Sequence, residues 1–593
     1  MNDVPSQELY SESSAMPPGN GRFRRLLWGS TLIAVVVLAA IALVIWLDPF
    51  GWAVVDRLSG RYDAALTAVP EDSILYVGMN LLNGNADDIK ALRDTFAAPL
   101  ADTEVNLDET QQEFNDMLAD EFGVTYADDI QPWLGQYFGF ALLDVTLDEY
   151  GNMDDVAWLL VAETRNGSAA DDFLAKVAAT WAENHDVAAV NESYNGIAIT
   201  SFPAEMPGEG LALARSGRMV LAAANVDVIK QAIDTQKGNS LADKAAFQDA
   251  VADLPTERVV TMYMDGAQLT GLMEQVNPMA AGLGLSTANA LSMSGLKGTA
   301  VSLTFVDAGL QIDTVNAYNA DELSSAQRTM LDAYTTAPVS LSLFPEDTFL
   351  YMGAQGLGNI WELYRETLVT QMGDPEAFSE SMALFARDFG INPDTDFLPY
   401  LNRELAFGLM PADSGLLADE LDLPMGMVLV VGTDNEAALA ASIATFTEKI
   451  TDPNTSGLGQ ANRVESNGLT LYEFSPSYDE ALRLTYGTGR DYFYLGTSTA
   501  DIQSLQFGGG TALADSDGYQ TAVAAFPDEM VPVAYLDLRS LMSTVRSSVA
   551  TSNTDMTEFE QVAAVLYPLH TIAAAVHIND MNMHQTTIFF IEK

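Results

Sequence analysis

The amino-acid sequence predicts an α+β fold: an N-terminal transmembrane helix followed by two tandem copies of a mixed, largely antiparallel sheet-plus-helices unit. Three observations predict it. One stretch near the N-terminus is long and free of charge. A series of short motifs recurs at a displacement near 270 residues. Within each repeat, short strand-like runs bounded by turn residues alternate with amphipathic helices.

The anchor comes first. Leu26 to Leu47 (LLWGSTLIAVVVLAAIALVIWL) is 22 residues without a charge. At the helical rise it spans roughly 33 Å, against about 30 Å for a bilayer core. Arg22, Arg24 and Arg25 precede it, and Asp48 follows. Trp28 near one end, and Trp46 and Trp52 near the other, suit the two membrane interfaces. The arginines place the polar tail, residues 1–25, in the cytoplasm and everything after Leu47 outside. A cleaved signal peptide is the competing reading. It needs a shorter apolar core and a small-x-small site, whereas this chain continues IWLDPFGW. The expected partner is therefore the lipid bilayer of a bacterial plasma (inner) membrane, crossed once.

The duplication is read from paired phrases. PEDSILYVG (70–78) and PEDTFLYMG (345–353) are 275 residues apart. LADKAAFQDAVADLP (241–255) faces LADSDGYQTAVAAFP (513–527) at 272, and YMDGAQL faces YLDLRSL at the same shift. NGIAITSF from Asn195 faces NGLTLYEF from Asn467. FGVTYADDIQPWLGQYFGFAL (122–142) faces FGINPDTDFLPYLNRELAFGL (389–409) at 267, and LVAETRN faces LVVGTDN at 269. The shift drifts only through Gly-, Asn- and Asp-rich stretches, where loops absorb insertions. The expected organisation is a juxtamembrane stalk (48–65), a first unit (66–318), a helical connector (319–339) and a second unit (340–593).

Within the unit, Tyr76 lies in an apolar run after a proline turn, which reads as a strand. ETQQEFNDMLADEF spaces Phe114, Leu118 and Phe122 on one helical face. YFGFALLDVTL and DVAWLLVAET read as a hairpin, and SAADDFLAKVAATWAEN as an amphipathic helix. GIAITSF, GLALARSG and RMVLAAAN read as strands, the last followed by a polar cap and helix. VVTMYMD and the hairpin GTAVSLTFVDAGLQIDTVNAY close the unit. Each PED phrase reads as a turn launching the first strand, with Leu75/Leu350 and Tyr76/Tyr351 on opposite faces and Gly78/Gly353 allowing close packing.

Composition excludes several partners. The formal charge is −55, with 82 acidic and 27 basic residues. Such a surface repels phosphate backbones, so no nucleic-acid partner is expected, and it repels anionic headgroups likewise. It reads as a solvated acidic surface, with a cation-binding or cationic-partner surface as the sharper alternative. Hydrophobic residues at 48% are enough to bury real cores. Cysteine is absent, which removes disulfides, thiolate nucleophiles and Cys-ligated metals.

Several of these phrases carry a resemblance. The Pro-x-Asp-x-x-x-Tyr opening occurs at Pro70, Asp72, Tyr76 and again at Pro345, Asp347, Tyr351, followed by Gly78 and Gly353. With it come PWLGQYFGFAL from Pro132, the F-x-x-A-V-A-x-L-P helix before a Y-x-D strand, and the single anchor. The chain thereby resembles the bacterial domain-of-unknown-function family 3352. The resemblance implies a large, envelope-associated, membrane-anchored protein without an assigned activity, over nearly all of residues 66–593. It brings no catalytic or cofactor residues. The second copy keeps Pro132 as Pro399 but departs from the pattern where Trp133 and Gly135 become Tyr400 and Asn402, so a shared site built on those two positions is not expected.

Candidate chemistry is sparse. There are four histidines, His185, His570, His577 and His584, and no G-x-S-x-G elbow; GLGLSTANA and GTSTADIQ read as turns and caps. If His577 and His584 sit on a hairpin turning at NDMN, they could face each other near Asp580 as a weak metal site; ordinary cross-strand histidines are the alternative. DVTLDEYGNMDD, with Asp144, Asp148, Glu149, Asp154 and Asp155, lacks the ordered ligands of a calcium loop, and DSDGYQ is too short. GAQGLGN and FGGGT lack the strand-to-helix context of dinucleotide motifs. The apolar, Met-bearing stretch 271–295 reads as a buried helical pair, or as a lipid or partner surface particular to the first copy. No catalytic residue, metal ligand or cofactor is assigned. Two functions are carried forward: an envelope binding or structural module for a protein, peptide, lipid or polymer, and an anchored hydrolase using paired carboxylates. The oligomeric state is left open.

Overall fold

The computed structural model describes residues 63–592 except 82–89, 93, 97–106, 148–152, 204–209, 272–294, 357–360, 363–364, 367, 370–374, 422, 455–456, 478–481, 508, 552–555 and 580. The anchor residues Leu26, Trp28, Trp46 and Leu47 and the topology residues Arg22, Arg24 and Arg25 lie outside them. Among the described residues no helix is long and apolar enough to cross a membrane. All of them belong to the unit Pro49–Lys593.

Twenty strands among the described residues form one sheet, with helices on both faces, so the fold is α+β. The first half contributes β1 (Leu75–Asn80), β2 (Leu134–Leu147), β3 (Met153–Thr164), β4 (Val190–Tyr194) and β5 (Ile197–Phe202). It continues with β6 (Leu211–Ser216), β7 (Met219–Ala223), β8 (Val260–Asp265), β9 (Leu296–Val306) and β10 (Gly309–Tyr318). The second half contributes β11 (Leu350–Gln355), β12 (Glu404–Pro411), β13 (Met425–Gly432), β14 (Gly459–Ser466) and β15 (Leu469–Pro476). Then come β16 (Leu484–Gly489), β17 (Tyr492–Gly496), β18 (Val531–Asp537), β19 (Leu569–Asn579) and β20 (Asn582–Ile591).

Every pairing is antiparallel. In the first half the order across the sheet is β4-β5-β6-β7-β3-β2-β1-β8-β9-β10. In the second it is β14-β15-β16-β17-β13-β12-β11-β18-β19-β20. The two orders are the same list of relationships, strand for strand. The halves join because β10 pairs with β20 over nine residues of each, from Gly309↔Phe590 to Ala317↔Asn582.

Local chemistry explains the hairpins and helix starts. Asn195–Gly196 and Asn467–Gly468 all have positive φ, 52°, 81°, 52° and 80°. An Asn-Gly pair tolerates that region, and the resulting tight turn matches strand twist, so β4–β5 and β14–β15 fold back at once. The helix Gly167–His185 is capped by Asn166, which accepts from Ala169 N, and Val226–Thr235 by Asn225, which accepts from Asp227 N and Val228 N. Asn435 and Ser498 do the same for Glu436–Thr451 and Thr499–Ser504.

Alternation places the layers. In β6, Ala212 and Ala214 face a core shared with Leu159, Val161, Ile229 and Tyr263, whereas Leu211 and Leu213 face a second core with Leu118, Val177 and Trp181. Both faces are covered, and the strand accordingly reads as an unbroken apolar run. In β13, Val428 and Val430 belong to the core around Tyr351, and Val431 to one with Leu439 and Ile443. Two opposed tyrosine pairs mark corresponding points: Tyr76 faces Tyr263, and Tyr351 faces Tyr535. Each is nearly or fully buried and edge-packed, Phe247 on Tyr263 and Tyr519 on Tyr535.

The opening phrases are turns. Ser73 Oγ donates to Pro70 O and Thr348 Oγ1 to Pro345 O, both at 2.7 Å. Pro70 bridges Ser240, and Pro345 bridges Ala512. The core begins ahead of them: Ala65, Leu66 and Ala68 of the 3₁₀ turn Ala64–Ala68 are buried, so residues 63–65 are part of the packed domain. Between the halves lies the helix Ser325–Ala333, with a reciprocal cap between Ser324 and Gln327.

Candidate functional site

Two polar clusters are buried on the tyrosine-bearing face. The first surrounds Asp63. This residue caps the turn Ala64–Ala68, its Oδ1 accepting from Ala65 N at 2.9 Å, while its Oδ2 accepts from the Tyr76 hydroxyl. The room for that hydroxyl comes from glycine. Gly78 and Gly139 are register partners, and a Cβ on either would run into the Tyr76 side chain. Burial pushes the Asp63 carboxyl up to about 6, opposed by the bonds from Tyr76 and Ala65 and by the Arg258 charge, and assisted by Glu163. Burial, with Asp63 and Glu163, also raises the Tyr137 hydroxyl. Glu163 is itself held by Arg218 at 2.5 Å and accepts from Gln136 N at 3.2 Å. Gln136 Nε2 reaches Asn80 Oδ1 and the Tyr137 oxygen. Arg258 donates to Thr261 Oγ1 at 2.7 Å and to Pro255 O at 2.8 Å.

The matching place in the second half is built differently. At the displacements relating the paired phrases, Pro338 stands for Asp63, Glu404 for Tyr137 and Met530 for Arg258. The acid now comes from the strand: Glu404 accepts from Ser340 N and from the Tyr492 hydroxyl, both at 2.7 Å. Tyr351 OH meets Ser340 Oγ at 3.4 Å. The charged cluster thus belongs to the first half.

The second cluster sits where the halves join. Asp313 is fully buried. It accepts from Thr586 Oγ1 at 2.6 Å and from Gln311 Nε2 at 2.9 Å, and it meets His584 Nε2 at 3.0 Å. Ser302 Oγ lies at 3.5 Å. An Asp, a His and a Thr in contact invite comparison with a nucleophilic triad. Such a relay needs the acid on one ring nitrogen and the nucleophile on the other. Here Asp313 and Thr586 both meet Nε2, the latter at 3.3 Å, so the geometry is that of a bonded cluster. On the same face Thr304 Oγ1, across from Gln311, is buried and has no hydrogen-bond partner among the described residues.

The other residues singled out by sequence are spread over the sheet. Pro132 and Trp133 precede β2. Trp133 packs its ring 4.9 Å from Phe173, with its Nε1 buried and unbonded among the described residues. Pro399 and Tyr400 lie in a 3₁₀ turn beside Leu401 and Leu439. Asp72 accepts from Gln231, and Asp347 is exposed. Gly353 lies under the Tyr351 ring as Gly78 lies under Tyr76. His577 and His584 are register partners, but His577 Nδ1 turns to Glu529 O at 3.1 Å while His584 turns to Asp313. His185 stacks on Trp181, and His570 meets Thr571. No group of three metal-ligating side chains occurs among the described residues. Asp144 is exposed; the side chains of Asp148, Glu149, Asp154 and Asp155, Asp580, and stretch 272–294 lie outside the described residues. Sequence reasoning missed Asp63, Glu404 and Asp313. Asp313 left one signal, since it is in phase with the buried Val315 and Ala317 of its strand.

The family described as "Protein of unknown function (DUF3352)" matches residues 31–591, nearly the whole chain. No curated protein matches. Among solved structures, crystal form I of TP0453 aligns at 12% identity over 47% of this chain and 87% of that one, with a TM-score of 0.21. Crystal form III aligns at 8% identity over 48% and 90%, with a TM-score of 0.23.

Proposed function

Since the chain belongs to the DUF3352 family, described only as of unknown function, we propose from its own residues that it is a single-pass, membrane-anchored extracytoplasmic protein of the bacterial envelope. Its ectodomain is a tandem duplication serving as a binding or structural module. The observation that carries the duplication is the recurrence of one pairing order in residues 75–318 and 350–591. The anchor rests on the uncharged run Leu26–Leu47, with Arg22, Arg24 and Arg25 before it. A scaffold that is structurally repeated but chemically different in its halves suits a module holding an envelope protein, peptide, lipid or polymer. The charged residues around Asp63 distinguish the first half.

Topology tests the location. A reporter active only outside the cytoplasm, fused after Lys593, is expected to work, and the same reporter fused before residue 22 to stay silent. The reverse pattern overturns the orientation. A second reading, an anchored hydrolase with paired carboxylates, draws on one observation: Asp63, pushed up to about 6, lies near enough to Glu163 to feel its charge. Against it, the Tyr76 hydroxyl covers the Asp63 carboxylate. Any hydrolytic activity of the purified chain that survives both Asp63→Asn and Glu163→Gln removes this reading.

A further inference from the structure

We propose that Tyr567, rimmed by Arg539, His570 and Glu592, is a stacking platform for a neutral glycan. This names a partner for the envelope-polymer case of the reading above and rests on it. The Tyr567 side chain is 67% exposed. Its backbone is nonetheless fixed, because Tyr567 N donates to Ala564 O at 3.3 Å and Glu592 N donates to Pro568 O at 2.8 Å. The ring is thus displayed on the turn between the helix Met556–Leu566 and β19, ahead of a proline that restricts it further.

Three polar side chains surround it, each from a different element. Arg539 stands in the first turn of the helix Leu538–Thr551, which Asp537 caps by accepting from Ser540 N at 2.9 Å. Its guanidinium lies over the Tyr567 ring, 5.5 Å from the centre, and pairs with the Glu592 carboxylate beyond β20. A cation on one face braces the ring, and at this exposure the other face meets solvent. His570, at the start of β19, is held below its usual range by burial and by the Arg539 charge. Its neutral ring carries one donor and one acceptor nitrogen, the Nδ1 meeting Thr571 Oγ1 at 2.9 Å. At the displacements of 272 and 273 that relate the halves, Ala267 stands for Arg539 and Asn319 for Glu592, so the platform belongs to the second half.

The chemistry selects the partner. A pyranose with equatorial hydroxyls presents axial C–H bonds on its faces and hydroxyls at its rim. One open aromatic face bordered by a planar donor and a planar acceptor complements both. An anion gains little, because Glu592 already meets the Arg539 charge. A protein partner needs an apolar centre of several side chains, whereas the groups around this ring are charged or polar. The formal charge of −55 disfavours a polyanionic glycan, which leaves a neutral one.

Saturation-transfer NMR of the full-length chain in a sugar-free detergent, with chitohexaose, cellohexaose and maltohexaose as probes, tests this. Transfer to the ring C–H protons of at least one hexasaccharide is expected. Tyr567→Ala is expected to weaken that binding about tenfold, and Tyr567→Phe, which keeps the ring, to bind as the wild type does. Arg539→Met, which removes the brace and a donor, is expected to weaken binding with an unchanged melting temperature. Absence of transfer from all three sugars overturns the platform. So does a Tyr567→Ala variant that binds undiminished, or a Tyr567→Phe variant that loses as much as Tyr567→Ala. A glycan bound without help from Tyr567 would remove the platform and leave the wider module reading standing, and the topology reporter is independent of both.

Discussion

Asp313 and Thr586 stand opposite each other in the β10–β20 pair, and Thr586 Oγ1 donates to Asp313 Oδ1 at 2.6 Å. The hairpins β9–β10 and β19–β20 turn at a displacement of 273, and 586 minus 313 is also 273. The same displacement matches Gln311 with His584, and both side chains turn to Asp313. One buried carboxylate thus gathers side chains from both strands of the pair that joins the halves.

Removing that carboxylate takes from Thr586, Gln311 and Ser302 the acceptor they share in a buried place. Asp313→Ala is expected to cost about 3 kcal/mol or more, since stranded buried donors lose their full hydration. His584→Gln, which puts the first half's residue at the matching position, is expected to cost much less than His584→Leu. Urea unfolding of the three variants checks the ranking. Equal losses for Gln and Leu would refute it.

Lys244 and Asp265 form an enclosed ion pair, 2.6 Å apart, with the Asp265 side chain 3% exposed. Lys244 also donates to Glu71 O, tying the opening turn to the end of β8. Lys244→Met strands a buried carboxylate that keeps, among the described residues, Tyr263 and Gln268 N. A loss of about 3 kcal/mol is expected, and denaturant midpoints measure it. A loss below 1 kcal/mol would show that Asp265 is satisfied without its cation.

Gly139→Ala places a Cβ 2.7 Å from the Tyr76 hydroxyl. Overpacking of this kind costs about 1–3 kcal/mol. Tyr76→Phe removes the nearest of the clashing atoms and leaves ring carbons at 2.8 and 3.0 Å, so the double variant is expected to lose somewhat less than the sum of the singles. Purely additive losses would place the strain elsewhere.

Asp501 is buried, and burial raises its carboxyl above 3.8 despite bonds from Thr497 and Ser498. A raised acid contributes stability at low pH that is lost as pH climbs past 3.8 toward the higher folded value. Asp501→Asn is expected to flatten the stability–pH curve of the wild type over that range, as thermal melts would record. An unchanged curve would assign the dependence to other groups.

Much of this was legible in the sequence because it depends on local patterns. The apolar run around Tyr76 announces a buried strand, Asn195–Gly196 and Asn467–Gly468 announce their turns, and Asn225 announces a helix start. The matched phrases foreshadow the recurring pairing order. What was not legible depends on distance along the chain. β4 (VNESY) is polar enough to read as a loop, and it is a strand because β5 folds back on it. Asp63 reads as part of a stalk until Tyr76 closes over it. Asp313 and His584 are 271 residues apart, and neither local window contains the other. No pattern within one half shows that the two last strands would meet.

That meeting has a consequence for how the sheet keeps its backbone covered. β20 takes its place in the middle of the sheet, between β10 and β19. Strip β20 away and the ten residues of β10 present a row of unpaired backbone groups, a template for pairing with a neighbouring chain. The strand β20 is therefore a closing seam, and a variant that loosens it would expose sticky edges on both sides of the gap.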